Sequence, residues 1–471
     1  MGWRMANSAV QTTPSNPTPQ PPVRRIPPGP FGNPLVGILP RLADPLDLYT
    51  DSFRRYGDVV RLRTIPTRAY YMVAHPEGIE HVLSRNAKNY RKPDAFSNPV
   101  RMIAGDGLLV TEGETWQRTR RLMTPAFARE RLDRMSEVFI RLAESTADRW
   151  ESIDPDKPID LAREMMGLTL RIASETLFGV DVPGGTDAFA EALRVGFHEV
   201  NLRMTRPLHP PMWLPVPRIR RFKAAQRHLR STVLSIIAER RGSGARAKDD
   251  LLGRLLQARD SEDGKGLTDL QLIDESITLL VAGHDTVGAA LAWCWWQLGQ
   301  HPEAMRRLQA EVDSLDGGRP PTLADLPKLQ WTRQVFEETM RLHPPAWGVP
   351  RETLEDDEIM GYHIPKKNIV TLLQVVTHRH PDFWPNPDVF DPERFAPGAG
   401  EGRPKYAYFP FGGGPRACIG AAFAMAEGPL VLATLARRFD VALVPDVKVE
   451  MDPTFVLKPK PGVFARLRKR R

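Results

Sequence analysis

The stretch Phe411-Gly412-Gly413-Gly414-Pro415-Arg416-Ala417-Cys418-Ile419-Gly420 constrains this chain more than any other. It sets one cysteine between a glycine-rich turn and an apolar run, residues 421–435, whose Ala and Leu content predicts a helix. A thiolate just before a helix meets unpaired backbone N–H groups and the positive end of the dipole, so its pKa is expected to fall. Gly412, Gly413 and Gly414 let the backbone lie close against a flat ligand, where a Cβ would intrude. Arg416, two residues before the sulfur, adds a permanent cation suited to a carboxylate. Taken alone, Cys418 reads as a buried structural thiol; its neighbours favour a ligand.

A thiolate, a flat face and a cation for a carboxylate together suggest haem held by an axial cysteine. The spacing of Phe411, Gly414, Arg416, Cys418 and Gly420 resembles the haem-binding loop of the cytochrome P-450 family, the haem-thiolate monooxygenases. The resemblance covers the chain from about residue 27 onward. It implies a fold that is mainly α with a smaller β region, in a single large domain. It also implies haem b (iron protoporphyrin IX) held by Cys418, with Phe411, Gly414, Arg416 and Gly420 in its cradle.

Composition narrows the setting. Of 471 residues, 41% are apolar, enough for a substantial core, and 65 Lys+Arg against 57 Asp+Glu leave +8. No nucleic-acid-binding motif accompanies that modest excess, so no nucleic-acid partner is expected; it suits an acidic protein partner equally well. Two cysteines, Cys294 and Cys418, form no disulfide framework and point to a reducing, cytoplasmic compartment. Cys294, within an apolar run, reads as core. The longest apolar run, 277–298, is interrupted by His284, Asp285 and Gln297, which argues against a membrane anchor. Residues 1–30 are rich in Pro, Ser, Thr and Gln and lack the apolar core of a signal peptide. They are expected to be a disordered tail before a domain over 31–471.

Along the body, 58–64 and 69–74 predict a hairpin around Pro66, and 76–84 a short helix. Residues 89–108, with Pro93, Pro99, Gly105 and Gly107, predict a long loop. From Glu114 to Phe439 the pattern is mostly helical; Ile219, Phe222, Leu229, Val233 and Ile236 share one face. Residues 206–217 form a proline-rich apolar loop. Short strands follow Arg341, including 369–376, a turn at 357–361, and a strand pair near 454–456 and 463–465.

Further stretches carry chemistry. Ala282-Gly283-His284-Asp285-Thr286 places polar residues inside an apolar helix expected over about 270–298. Structurally this reads as a kink, with Gly283 weakening the helix and Thr286 bonding back to a carbonyl. The stretch also resembles the family's oxygen-activation motif, an acid followed by an alcohol. That implies a widened turn at Ala282 and Gly283 for dioxygen, and a proton relay through Asp285 and Thr286. Glu338 and Arg341, at i and i+3, share a helix face; alone they would be a weak surface bridge. With Pro392-Glu393-Arg394-Phe395 downstream they match the family's buried network, which implies that Glu338, Arg341 and Arg394 support the cysteine loop. Trp116 and Arg120, at i and i+4, point the same way and can both bond a carboxylate. Alone they read as an exposed basic helix; the resemblance makes them haem-propionate contacts, with Arg351 a further one. Arg118 and Arg121 are left over, and with Lys405 are expected to form a basic docking face for an acidic electron donor.

By position, the family's substrate segments imply a pocket of Phe96, Met102, Leu208, Trp213, Leu280, Ala282, Val287, Ala346, Val349 and Phe455. All are apolar, which suits a lipophilic substrate, although apolar residues in helical proteins are core by default. Val287 stands where a second hydroxyl residue is frequent in the family. The resemblance implies a soluble, bacterial-type monooxygenase inserting one atom of O2 into a lipophilic small molecule, a fatty acid or terpenoid, by hydroxylation or epoxidation. No stretch of domain size follows the cysteine helix. NAD(P)H is therefore expected to act indirectly, through a separate ferredoxin or flavodoxin and its reductase. Two other classes account for less. A haem-thiolate ligand-binding or sensor protein without turnover needs no acid–alcohol pair, and a basic helical binding module leaves Cys418 and its glycines unexplained.

Overall fold

Asp269–Gln300, apolar around its whole circumference, becomes the axis on which the other elements are laid. Thr268 starts it with a capping box: its hydroxyl accepts from the Gln271 N–H, and the Gln271 side chain accepts from the Thr268 N–H. By length and composition this helix could cross a bilayer, but 78% of its most apolar window is buried inside the protein. The computed structural model describes residues 25–470 except 34–36, 39–40, 43, 66–67, 129–130, 180–185, 206–208, 243–249 and 316–317. Most of the expected N-terminal tail, the turn at Pro66 and the pocket residue Leu208 lie outside the described residues.

The helices that build the site are, in chain order, α1 (Asp94–Ala104), α2 (Gly113–Met123), α3 (Leu161–Phe178), α4 (Thr186–Thr205), α5 (Asp269–Gln300), α6 (Gln330–Leu342) and α7 (Ala421–Ala436). The C-terminal half of α5 packs into one apolar cluster with α6 and α7, through residues such as Leu291, Trp295, Val335 and Leu430. Its N-terminal half packs into a second cluster with α1 and α4, through Ile277, Ile103 and Phe189. The polar stretch 282–286 falls between the two. α3 runs against α5 so closely that a Cβ on Gly288 would lie 2.7 Å from the Met166 sulfur.

A five-stranded sheet lies beside the helices, in the order β1 (Val59–Ile65), β2 (Arg68–Val73), β5 (Ile369–Leu372), β4 (Val349–Thr353) and β3 (Tyr90–Arg91). β2 and β5 are parallel and the other pairings antiparallel. β3 pairs Arg91 with Glu352, so the next step of that register sets Lys92 against Arg351. Near the C-terminus, β6 (Glu450–Pro453) and β7 (Leu457–Lys460) form a hairpin. The strand expected at 454–456 is the tip of that hairpin. Phe464–Lys469 pairs with Phe439–Leu443.

The loop expected over 89–108 contains α1 instead. Ser97, Val100, Ile103 and Ala104 bury one face of it, and that burial outweighs the backbone bond that Pro99 cannot make. Gly105 ends it at φ 68°, its N–H reaching the Arg101 carbonyl at 2.9 Å. The periodicity was hidden by two prolines, one of which, Pro93, merely caps the helix.

α7 meets α6 through Gly428, where a Cβ would overlap the Phe336 ring. Gly428→Ala is expected to cost about 1–3 kcal/mol by overpacking. A lowered thermal midpoint checks this, and a midpoint equal to that of the parent would show that the ring moves aside freely.

Candidate active site

Cys418 stands two residues before α7, whose N-cap, Gly420, donates its N–H toward the sulfur. The Cys418 N–H donates to the Phe411 carbonyl at 2.9 Å and closes the loop. Gly414 adopts φ +63°, and a side chain there would overlap the Leu83 carbonyl, while a Cβ on Gly413 would strike the Tyr406 ring. The protein itself therefore requires both glycines, independent of any ligand's approach. Cys418 is exposed although protein surrounds it, so its thiol opens onto an internal void. Burial pushes this thiol above its ordinary value, against the pull of the Gly420 N–H and the Arg120 charge. The expected fall in pKa is thus corrected: the helix terminus acts with the right sign, and desolvation outweighs it. A metal ion on the sulfur reverses that balance.

Behind the loop, the Glu338 and Arg341 side chains have no exposed surface. Arg341 Nε and Nη2 donate to the Glu338 carboxylate at 2.7 and 2.8 Å. Its remaining N–H groups donate to the carbonyls of His378 (2.8 Å), Pro387 (2.7 Å) and Val389 (3.1 Å). Arg394 approaches Glu338 at 3.5 Å. Burial pushes the Glu338 carboxyl up, against the pull of Arg341. His378 then accepts the Phe409 N–H on Nε2 at 3.0 Å, and Gln374 donates to the Phe409 carbonyl at 2.6 Å. Glu338, Arg341 and Arg394 thus lie together, and Arg341 is wired through His378 to the segment that leads into the cysteine loop.

The other wall is cationic. Arg416 pairs with Glu112, the N-cap of α2, and lies 4.3 Å from the Trp116 ring centroid. Arg351 on β4 is buried; its burial and the Arg416 charge bring its guanidinium down to about 10. Lys92 was not singled out from the sequence. Its Nζ donates to the carbonyls of Leu108 (2.9 Å) and Thr111 (3.0 Å), and burial together with Arg416 brings it down to about 7. Arg120 is likewise lowered by burial, while the Cys418 charge raises it. Arg416 Nη1 is buried with no partner. Lys92, Arg351 and Arg416 share Glu112, and Arg416 keeps one buried N–H without a partner.

Along α5, exposure marks the face bordering the void. Leu279 and Thr286 are half-buried and Ala282 is exposed, at i, i+7 and i+3, whereas Leu280, Val281 and Val287 are buried. Leu280 and Val287 are therefore core, contrary to expectation, and Leu279 takes the lining position. The helix runs unbroken through 282–286, so the expected widened turn is not seen. Thr286 Oγ1 donates to the Ala282 carbonyl at 2.8 Å. A Cβ on Gly283 would meet Ala173 of α3 at 3.8 Å, so this glycine faces the helix contact. Asp285 is buried, and Lys458 of β7 donates to its Oδ1 at 2.6 Å. His284 is buried, its ring held neutral by that burial, with Nδ1 at 2.8 Å from the Leu280 carbonyl.

Phe96 of α1 stacks with Phe455 at the tip of the β6–β7 hairpin, centroids 6.2 Å apart and planes 13° apart. Phe197 of α4, which sequence reading missed, stacks on Phe455 at 4.9 Å and 27°. Met102 joins the same apolar cluster, Val349 is half-buried on β4, and Ala346 is exposed. Trp213 is 76% exposed, on the surface. The expected docking arginines are occupied: Arg121 bonds Asp260 at 3.0 and 2.9 Å and pairs with Glu262 at 2.8 Å. Arg118 pairs with Asp260 at 3.2 Å and Asp263 at 3.5 Å. Only Lys405 of that trio lies exposed without an ion pair among the described residues.

This donor set fits haem. A sulfur opens onto a void, a half-buried alcohol faces it from α5, and cations with an orphaned N–H await carboxylates. A family model for Cytochrome P450 matches residues 27–466. Cyclooctatin synthase of Streptomyces melanosporofaciens is 35% identical over 92% of this chain and 93% of its own. Pentalenene oxygenase of Streptomyces avermitilis is 34% identical, covering 85% and 88%. The crystal structure of the cytochrome P450DA heme domain superposes with a TM-score of 0.87 at 28% identity, covering 95% of this chain and 99% of that one.

Glu338→Ala strands the Arg341 charge with no exposed surface, which typically costs about 3–5 kcal/mol. The variant is expected to unfold earlier and to purify without haem. Normal haem content and an unchanged midpoint would remove the network from its supporting role.

Proposed function

The chain belongs to the cytochrome P450 family and is a monooxygenase, and from that premise we propose that Cys418 would hold the iron of haem b in the void between α5 and α7. The observation carrying this is the Cys418 thiol, exposed inside the protein with the Arg120 charge acting on it, and two residues beyond Arg416 and its cluster with Lys92 and Arg351. Lys92, Arg120, Arg351 and Arg416 would hold the two propionates, with Trp116 alongside. Bound haem supplies the redox chemistry by which O2 is activated. The protein's part is the rest. The Cys418 thiolate would give electron density to the metal, the Glu338–Arg341–Arg394 network fixes its loop, and apolar walls exclude water. Thr286, on the void face of α5, holds a proton at its hydroxyl. Asp285 exchanges protons one residue away.

The substrate is a lipophilic small molecule, and a terpenoid is the class we favour over a fatty acid. Support comes from the Phe96–Phe455–Phe197 stack and from relatives named for cyclooctat-9-en-7-ol and pentalenene. Electrons come from a separate ferredoxin or flavodoxin with its reductase, in the cytoplasm, with NAD(P)H as the remote source. The pairing of Arg118 and Arg121 with residues 260–263 takes them out of that docking face, leaving Lys405.

Cys418→Ser is expected to abolish the red-shifted Soret band of the reduced carbon monoxide adduct. A serine variant that keeps the band would overturn the ligand assignment. Thr286→Ala should keep haem and substrate binding while diverting electrons to peroxide. Unchanged product per NAD(P)H consumed would take Thr286 out of the relay.

A further inference from the structure

Asp285 and Thr286 are neighbours in sequence, yet only Thr286 borders the void. The Asp285 side chain is 5% exposed, and its Oδ2 has no partner. Its Oδ1 accepts from Lys458, whose side chain is 35% exposed and so reaches from this buried carboxylate toward solvent. Its other titratable neighbour, His284 Nε2, stands 3.8 Å from Oδ1 on the same helix and is kept neutral by its burial. Lys458 thus places a cation and a hydrogen bond on this buried carboxyl.

Lys458 does not belong to α5. It sits on β7, in the hairpin whose tip lays Phe455 against Phe96 and Phe197. Between them, Leu457 is pinned twice: its N–H donates to the Pro345 carbonyl at 3.0 Å, and its carbonyl accepts from Trp293 Nε1 at 3.1 Å. Trp347 Nε1 bonds the Thr454 carbonyl at 3.0 Å on the far side of the tip. A ring over the pocket and a cation on the acid are therefore parts of one short hairpin, disposed on either side of a clamped residue.

We propose that Lys458 is a positioning residue for Asp285, and that the β6–β7 hairpin ties the state of this ion pair to the packing of the pocket roof. With Phe455 stacked, Lys458 holds Oδ1. When the roof shifts, Lys458 lets go, solvent water reaches Oδ1, and a proton from solvent hydronium travels over that water to Asp285 and on toward Thr286, leaving Asp285 as it began. This rests on the relay reading of Asp285 and Thr286.

The test uses the haem-loaded full chain. In thermal unfolding, Lys458→Met is expected to lower the midpoint by stranding the Asp285 charge, and adding Asp285→Asn should restore most of the loss; additive losses would overturn the pairing. In turnover, product per NAD(P)H should fall on the order of tenfold or more in Asp285→Asn. Lys458→Met should fall comparably, Lys458→Arg should be spared, and Lys458→Met should add nothing in the Asp285→Asn background. If Asp285→Asn has no effect, the relay reading fails; if only Lys458→Met has none, this proposal fails. Phe455→Ala should speed amide hydrogen exchange at 457–460 severalfold, and unchanged exchange would cut the link to the roof.

Discussion

A guanidinium with no contact with water sets the terms for the rest of the molecule. Arg341 donates all five of its N–H groups, two to Glu338 and three to backbone carbonyls of 378–389. A buried ion pair repays its desolvation only when every donor and acceptor is used, so the segment supplying those carbonyls has one acceptable path. That path presents His378 to the Phe409 N–H, and Phe411 then accepts from Cys418. The position of the sulfur follows from the geometry of an arginine on another element. Trp384, whose ring lies 5.0 Å from the Arg341 guanidinium and whose N–H reaches the Ala407 carbonyl at 3.2 Å, braces the same path.

The opposite wall works by a deficit. Lys92 and Arg351 are brought together by the β3–β4 register, and Arg416 by the cysteine loop; burial and mutual repulsion weaken the charge on the first two. Folding has assembled a site that disfavours its own protonation, with Glu112 as partial relief. Carboxylates entering this cluster would reverse the sign of each repulsion, so a ligand carrying them would find part of its binding energy already stored in the fold.

Local patterns were legible in the sequence, and long-range pairings were not. The cysteine loop, the Glu338–Arg341 spacing, the hairpin of β1 and β2, and helices α5, α6 and α7 each announce themselves within a few residues. Lys92 gave no such signal, because what makes it unusual is Arg416, far along the chain. Arg118 and Arg121 looked free because the acids that occupy them lie in 260–263, at the far end of a different connection. α1 was missed because two prolines mask a burial pattern that only its partners on α4 and α5 make worthwhile. Leu280 was preferred to Leu279 because composition does not say which side of an all-apolar helix faces the void. Near Cys418 the local sequence shows only the helix end, which lowers the thiol's pKa, whereas the desolvation that raises it is a property of the whole surround.

α5 shows why an all-apolar helix can still carry directional chemistry. Around its axis, Thr286 and Ala282 look into the void, Gly283 looks toward α3, and Asp285 looks toward β7. Successive residues differ by about 100° in direction at 3.6 residues per turn, so an acid and an alcohol placed side by side in sequence serve different environments. The alcohol can meet a ligand without bringing a charge beside it. The acid instead pairs with a lysine that touches water. Reversed in order, with Asp at 286, the carboxylate would lose Lys458 and turn to the void, and the cost of leaving such a charge uncompensated is about 3–5 kcal/mol. The order acid-then-alcohol is thus the one that the surroundings of this helix can support.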